Sequence, residues 1–378
     1  MQNAEALVKK YKNSSINQMI SKECFTTGWI DQKSKELQYN DKNIIEKVVR
    51  AFSLLDMLAQ SGCPFHFKGG SCLMLLLKNG RHRLSIDIDI ICPPGTDIEQ
   101  YLKSYKDFGF IDYKSVERIQ RGTDIPKSHA KFFYQVAFLD DSERQESILL
   151  DVLNEDCHYE EVLELPIDGP FLKIEGTPNI VKVPSIGDIL GDKLTAYAPN
   201  TTGIPYYKKS KEGKERDCSM EIIKQLYDIA RLFEEVDNLN VTSKSFARIA
   251  EVELSYRGLE NNPKLIFEDV RQTSLCLATR GAEGNGDFAM LQRGISRIKS
   301  FMFRGGYFIE NAIIDASRAA YLATLLEKGQ TEIERYNGDP MSIAALNINS
   351  TLSNRLNKQK RQSPEAYFYW AKTSQLLG

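Results

Sequence analysis

Residues 68–90 read KGGSCLMLLLKNGRHRLSIDIDI, and the last six alternate Ser85, Asp87 and Asp89 with Ile86, Ile88 and Ile90. Successive side chains of a strand point to opposite faces, so the segment predicts a strand with its isoleucines in a core and the serine and both aspartates on the other side. Carboxylates two residues apart on a strand stand about 6.5 Å apart, near enough for their oxygens to converge on one divalent cation or a metal pair. Taken alone, a D-x-D reads better as an edge strand with a solvated polar face. Its neighbours in the sequence shift that balance.

Upstream, Lys68 leads into Gly69-Gly70-Ser71 between the strand-like PFHFK and the apolar CLMLLL. Free backbone N–H groups and the dipole at a helix start favour a phosphate, and glycines let it come close. Ser71 is placed to cap that helix and to offer its hydroxyl to a phosphate oxygen. Downstream, in SILLDVL, Asp151 shares a face with Leu149 and Leu153, which predicts a buried carboxylate needing a cation or a basic partner. Either a third metal carboxylate or a structural ion pair meets that need.

The third neighbour is Lys193. In PSIGDILGDKLTAYA, Ile186, Ile189, Leu190, Leu194 and Tyr197 form a helical apolar stripe with Lys193 in its middle, Asp188 set for a capping box, and Asp188, Asp192 and Thr195 on the outer face. A lysine in that place either snorkels along the core edge or aims a compact ammonium at triphosphate oxygens. In the next helix, Asp228 lies at the edge of the stripe beside Leu232, where it would orient Lys193, act as a base, or pair with a surface lysine. Arg81 and Arg83 flank the D-x-D segment; of the two, Arg83 is the candidate for substrate phosphate.

The whole chain has 378 residues, too many for one ordinary core, with 42% hydrophobic and 26% charged residues. Lys and Arg number 49 against 51 acids, so the net charge of −2 leaves any nucleic-acid surface to a local patch. The first residues lack the apolar core of a signal peptide and no run is long enough to span a bilayer, so we expect a cytoplasmic protein with no membrane partner. Seven scattered cysteines without a C-x-x-C pair fit reduced thiols, and four dispersed histidines make a His-based metal site unexpected.

Helical spacing over residues 41–60, a short strand, a compact apolar helix, the D-x-D strand and the antiparallel candidates KFFYQVAFL and SILLDVL together predict an α+β unit. Residues 97–109 read as helical. From residue 184 onward the pattern is helical. The expected fold is thus α+β: a small mixed-sheet core at 41–183, a helical extension at 1–40 before it, and a mainly α-helical domain at 184–378 that supplies Lys193 and Asp228.

Taken together, KGGSCLMLLL, RLSIDIDI, DKLTAYAPNTTGIPY and EIIKQLYDIARL resemble the nucleotidyltransferases of the AbiEii/AbiGii toxin family, within the polymerase-β-like superfamily. The resemblance covers roughly residues 45–235. It implies that Lys68, Gly69, Gly70, Ser71, Arg83 and Ser85 bind an NTP, with Gly70 and Ser71 on the triphosphate. It also implies that Asp87 and Asp89, with Asp151 as a third carboxylate, hold Mg²⁺, that Lys193 contacts nucleotide phosphates, and that a late catalytic aspartate maps to Asp228. Many relatives carry an Arg-Asp pair three residues before that aspartate. This chain has Lys224-Gln225 there and Arg216-Asp217 earlier, so Asp217 stays open as the alternative.

The family implies a toxin of a type IV toxin–antitoxin or abortive-infection system, with a winged-helix antitoxin as partner and RNA, in particular the tRNA 3′ end, as acceptor. Basic tracks for RNA would be residues 208–216 and 355–361. The competing expectations are the same site acting on a small molecule of aminoglycoside type or on a protein hydroxyl, and a binding protein on a degenerate scaffold. Retention of both Asp87 and Asp89 argues against the last.

Overall fold

The structure, a computed structural model, describes residues 20–77, 83–117, 127–137, 144–209, 213–302, 305–348, 352 and 354–378. Arg81, the first half of the expected N-terminal extension and the middle of the 208–216 run lie outside these residues. The chain divides into two compact units, one running through Ser185 and rejoined at Phe301, the other beginning at Ile186.

The first unit is built on a seven-stranded mixed sheet in the order β3-β4-β5-β2-β1-β7-β6. The strands are β1 (His66–Lys68), β2 (Ile88–Cys92), β3 (Asp112–Glu117), β4 (Lys127–Gln135), β5 (Gln145–Asn154), β6 (Val162–Pro166) and β7 (Ile180–Pro184). β1 pairs parallel with β7 and β2 parallel with β5, while β1–β2, β3–β4, β4–β5 and β6–β7 are antiparallel. Phe67, Ile88, Ile90, Leu150, Val152, Ala130 and Phe132 are buried.

Helix Lys42–Gln60 packs against β2 and β5. Asp41 starts it by accepting from the backbone N–H of Asn43 at 3.1 Å and of Ile44 at 3.3 Å. This helix also buries Glu46, Arg50, Ser53 and Asp56, and each finds a partner. Asp56, for example, accepts from Asn179 Nδ2 at 2.6 Å and from the backbone of Ile20 at 3.3 Å.

Several expectations for this unit are corrected. Only Ile88–Cys92 of the D-x-D segment is strand. β1 is three residues long and turns into a helix at Gly69, so residues 83–87 have no β1 backbone beside them and lie outside the ladder. Residues 97–109 form two 3₁₀ turns, Ile98–Tyr101 and Tyr105–Phe108, the second closed by Gly109 at φ 82°. β3, β6 and β7 were not anticipated. β3 and β6 are the edge strands, and both are short, so each offers only a few residues on which alternation could be read.

The second unit contains helices Ile186–Ala196, Ser219–Glu235, Asn240–Tyr256, Lys264–Ala278, Phe288–Ile298, Ile309–Glu327 and Pro364–Leu377, with a small hairpin of β8 (Tyr207–Lys209) and β9 (Glu215–Asp217). Helix Pro364–Leu377 carries AYFYW, whose aromatic run favours strand by propensity. Tyr367, Phe368, Tyr369 and Trp370 are all buried, and packing overrides the preference.

Helix Ile186–Ala196 lies against Asn240–Tyr256, and at Gly191 a β-carbon would stand 2.9 Å from the backbone nitrogen of Phe246. That close approach buries nearly the whole helix, including the face expected to be solvated. Asp188 is fully buried and accepts a hydrogen bond from the Ser245 hydroxyl, and Thr195 is buried too. Asp188 therefore ties two helices together. Among the described residues, no helix is long and apolar enough to cross a membrane.

Candidate active site

β1 passes into helix Gly69–Leu76 without a loop. Gly69 sits at φ +78°, a conformation that costs other residues about 1 kcal/mol or more, and it makes this sharp strand-to-helix turn possible. Lys68 is the N-cap residue, and its own side chain makes no capping hydrogen bond. A β-carbon on Gly69 would overlap the carboxylate of Asp89, and one on Gly70 would overlap the Arg83 guanidinium and crowd the Ser85 hydroxyl. The two glycines thus bring Asp89, Arg83 and Ser85 directly against the helix start, where backbone N–H groups carry positive potential. Arg83 and Ser85 are both buried there.

Ser71 is corrected from cap to helix interior. It is fully buried and its hydroxyl donates to the backbone carbonyl of Asp87 at 2.5 Å. This bond ties the D-x-D segment to the glycine turn, so Ser71 acts on the backbone that carries Asp87.

The sheet register completes a row. Lys68 lies opposite Asp89, Asp89 opposite Asp151, and Asp151 opposite His129, on four adjacent strands. Register partners share a face, with neighbouring strands about 4.8 Å apart, so the two carboxylates stand side by side between two bases. Asp151 is not on the buried face expected for it. The buried face of β5 carries Ile148, Leu150 and Val152, and Asp151 keeps 32% of its side chain exposed. Its Oδ1 meets His129 Nδ1 in a short contact. Lys68, Asp89, Lys127, Asp151 and Leu153 line a cavity of about 130 Å³ beside this row.

Among the described residues no cluster of three or more His, Cys, Asp or Glu side chains is arranged to hold a metal ion. The donors present still suit Mg²⁺, which takes hard oxygens and is usually held by one or two carboxylates together with substrate phosphates. Asp87, Asp89 and Asp151 are all carboxylates of that kind.

In the second unit, Lys193 is 6% exposed and Asp228 1%. Lys193 Nζ lies 3.0 Å from Asp228 Oδ2 and donates to Gln225 Oε1 at 2.9 Å. Lys193 therefore does not snorkel. Asp228 lies in the core and holds the ammonium, assisted by Gln225. Asp217 has other ties: it accepts from the backbone of Ser219 at 2.8 Å and from Arg293 and Arg297 at 2.9 and 2.8 Å. Its slight burial pushes its carboxyl upward, but the Ser219 hydrogen bonds and the two arginines prevail and hold it well below the usual carboxylate range.

Sequence reasoning missed His129, Lys127 and Gln225. His129 sits in KSHAKFFYQ, where alternation predicts only that it shares a face with Lys127 and Lys131. Its meeting with Asp151 depends on strand register, which no local pattern in either segment specifies.

A glycine turn at a helix start, a D-x-D entering the central strand and a third carboxylate on the neighbouring strand are parts suited to handling a nucleoside triphosphate. The sequence model of the family described as nucleotidyl transferase AbiEii toxin, type IV TA system, matches residues 53–305, and the chain belongs to this family. It is a nucleotidyltransferase, and the family implies an NTP substrate, a toxin's role and an antitoxin partner.

No curated protein sequence matches the chain. Among solved structures it is similar to MenT4, a nucleotidyltransferase toxin of Mycobacterium tuberculosis H37Rv, at 14% identity and a TM-score of 0.43, covering 76% of this chain and 98% of that one. It is also similar to JHP933 of Helicobacter pylori, at 15% identity and a TM-score of 0.36, covering 82% and 94%. Likenesses this distant say nothing about substrate.

Proposed function

We propose that the chain transfers a nucleoside monophosphate from an NTP to a hydroxyl of RNA, in particular the 3′ end of tRNA, in a reaction that depends on Mg²⁺. The observation that carries this reading is the placement of Asp89 beside Asp151 and against a glycine turn that opens a helix. Mg²⁺, when bound, would supply Lewis-acid stabilisation of the reacting phosphoryl oxygens. Asp87 and Asp89 would hold it, with Asp151 as the third carboxylate.

The acceptor oxygen forms a bond to the α-phosphorus, the bond from that phosphorus to the β-phosphate bridging oxygen breaks, and pyrophosphate leaves. Asp151 takes up the hydroxyl proton. Lys68, Gly69, Gly70, Arg83 and Ser85 hold the triphosphate, and Ser71 fixes the backbone of Asp87. To Lys193 we assign the nucleotide phosphates and to Asp228 the holding of that ammonium; these roles rest on the family likeness and on the buried pair within the helical unit.

For the RNA backbone, the β8–β9 hairpin offers exposed Tyr207, Lys208 and Lys209, with Arg216 paired to Glu221 and with Arg293 and Arg297 joined to it through Asp217. A basic surface with an exposed aromatic ring suits a single-stranded polyanion. The 355–361 run fits less well. Arg355 pairs with Glu283, and Lys360 donates to the carbonyls of Ala344 and Leu346.

The test is incubation with each labelled NTP, Mg²⁺ and total RNA, followed by gel analysis. Label on RNA supports the proposal. Label on protein or on a small molecule moves the acceptor to the competing class, and no label with any NTP sinks the proposed reaction. A winged-helix antitoxin is the proposed partner, checked by co-expression of the neighbouring reading frame and relief of growth arrest.

A further inference from the structure

His129 and Asp151 both lie outside the four segments through which the chain resembles its family. His129 and Asp151 are direct register partners across the antiparallel β4–β5 ladder, with 15% and 32% of their side chains exposed. On its other side Asp151 faces Asp89 across the parallel β5–β2 ladder. Adjacent like charges on one face of a sheet repel. With no partner on β4, the Asp151 carboxylate would swing away from Asp89, toward solvent.

Resting on the reaction proposed above, we infer that His129 is a positioning residue for nucleotidyl transfer. Its ring, fixed by only two side-chain torsions, grips Oδ1 of Asp151 and so leaves Oδ2 as the oxygen available to the cavity that Asp151 lines with Asp89 and Lys127. A histidine suits this task better than a lysine. A lysine would add a mobile charge that competes with the cation for both oxygens, whereas an imidazole offers one donor in a fixed direction. Outer partners of this kind orient metal-binding groups, and their loss costs about 10- to 100-fold in metal affinity or activity.

The experiment compares His129→Leu, which keeps bulk on the strand but offers no donor, with His129→Asn, whose amide donates from nearly the position of Nδ1. Two quantities are read on the full-length chain: binding of Mn²⁺ alone by electron paramagnetic resonance, and kcat and KM for the labelled NTP that the wild type uses. His129→Leu should weaken Mn²⁺ binding and lower kcat by about 10- to 100-fold with KM within about twofold, and His129→Asn should regain most of both. Thermal melting accompanies each variant, and if His129→Leu unfolds, His129→Gln takes its place as the variant with a displaced donor.

Wild-type Mn²⁺ binding and turnover in the donor-free or displaced-donor variant would overturn the inference, as would a loss in His129→Asn equal to theirs. Asp89→Ala is measured alongside. If it is inactive while His129→Leu is normal, only the role of His129 falls; if Asp89→Ala is itself fully active, the site assignment falls.

Discussion

Two charge clusters in this molecule use similar residues to opposite ends. In the helical unit, Asp315 is 2% exposed and is surrounded by cations and donors: Arg231 at 3.0 Å, Arg318 at 3.6 Å and the Tyr307 hydroxyl at 2.9 Å. Glu234 accepts from both arginines at 3.1 and 2.8 Å, and Glu365 from Arg318 at 2.6 Å. Burial pushes the Asp315 carboxyl upward despite the arginines, and it raises the Tyr307 hydroxyl further. On the sheet, Asp89 and Asp151 stand beside each other, with Asp151 about one-third exposed. The first cluster centres on a buried acid whose two arginines are also held by two glutamates. In the second, the two carboxylates stand side by side at a cavity. Access to the central acid, more than the number of acids, separates a structural network from a site.

The largest expected effect breaks the site side of this comparison. Asp89→Asn should lower transfer by several kcal/mol of transition-state stabilisation, about a thousandfold or more. Single-turnover kinetics beside a denaturation curve check it, and a variant that is active but unstable would place Asp89 among the structural acids.

The converse substitution, Asp315→Ala, removes the acceptor of the buried Tyr307 hydroxyl and leaves Arg231 and Arg318 to Glu234 and Glu365 alone, and we expect a stability loss of about 2–3 kcal/mol. Urea unfolding followed by circular dichroism measures it. A loss below about 1 kcal/mol would mean that the network does not depend on its central acid.

Asp217 lies between the two cases, being partly exposed yet held by two arginines. Asp217→Asn keeps the acceptor for the Ser219 backbone but loses the charge, so we expect a cost of about 1 kcal/mol at neutral pH. Because the folded-state carboxyl is held below its ordinary value, its stabilisation is present above that value and fades as pH falls through the lower folded value. The gap between wild type and Asp217→Asn should therefore close as the pH drops below about 4. A gap that is unchanged in acid would show that charge is not the cause. The smallest effect expected is for Arg355→Ala: the Arg355–Glu283 pair is 58% and 38% exposed, and its loss should move stability by less than about 0.5 kcal/mol.

Much of this site was legible in the sequence. Gly69 and Gly70 before an apolar run, Asp87 and Asp89 alternating with isoleucine, and Lys193 in the middle of an apolar stripe are all local violations of what solvent exposure or core packing would choose. Such conflicts mark function. The places where the sequence misled are those where a neighbouring element set the environment. Ser71 had the right chemistry for a cap, but the chain entered the helix two residues earlier. Asp188 had the pattern of an outer face, but a second helix covers it.

By itself, the sequence determined the α+β class, the glycine turn, the paired aspartates and the buried lysine, because periodicity, turn chemistry and side-chain polarity act over a few residues. The tertiary structure alone decided that Asp89 lies beside Asp151, that His129 backs Asp151, and that Asp228 and Gln225 hold Lys193. These pairings join residues 22 to 62 positions apart in the chain through strand register and helix packing, and neither is encoded by the residues that meet, but by the hydrophobic faces beneath them.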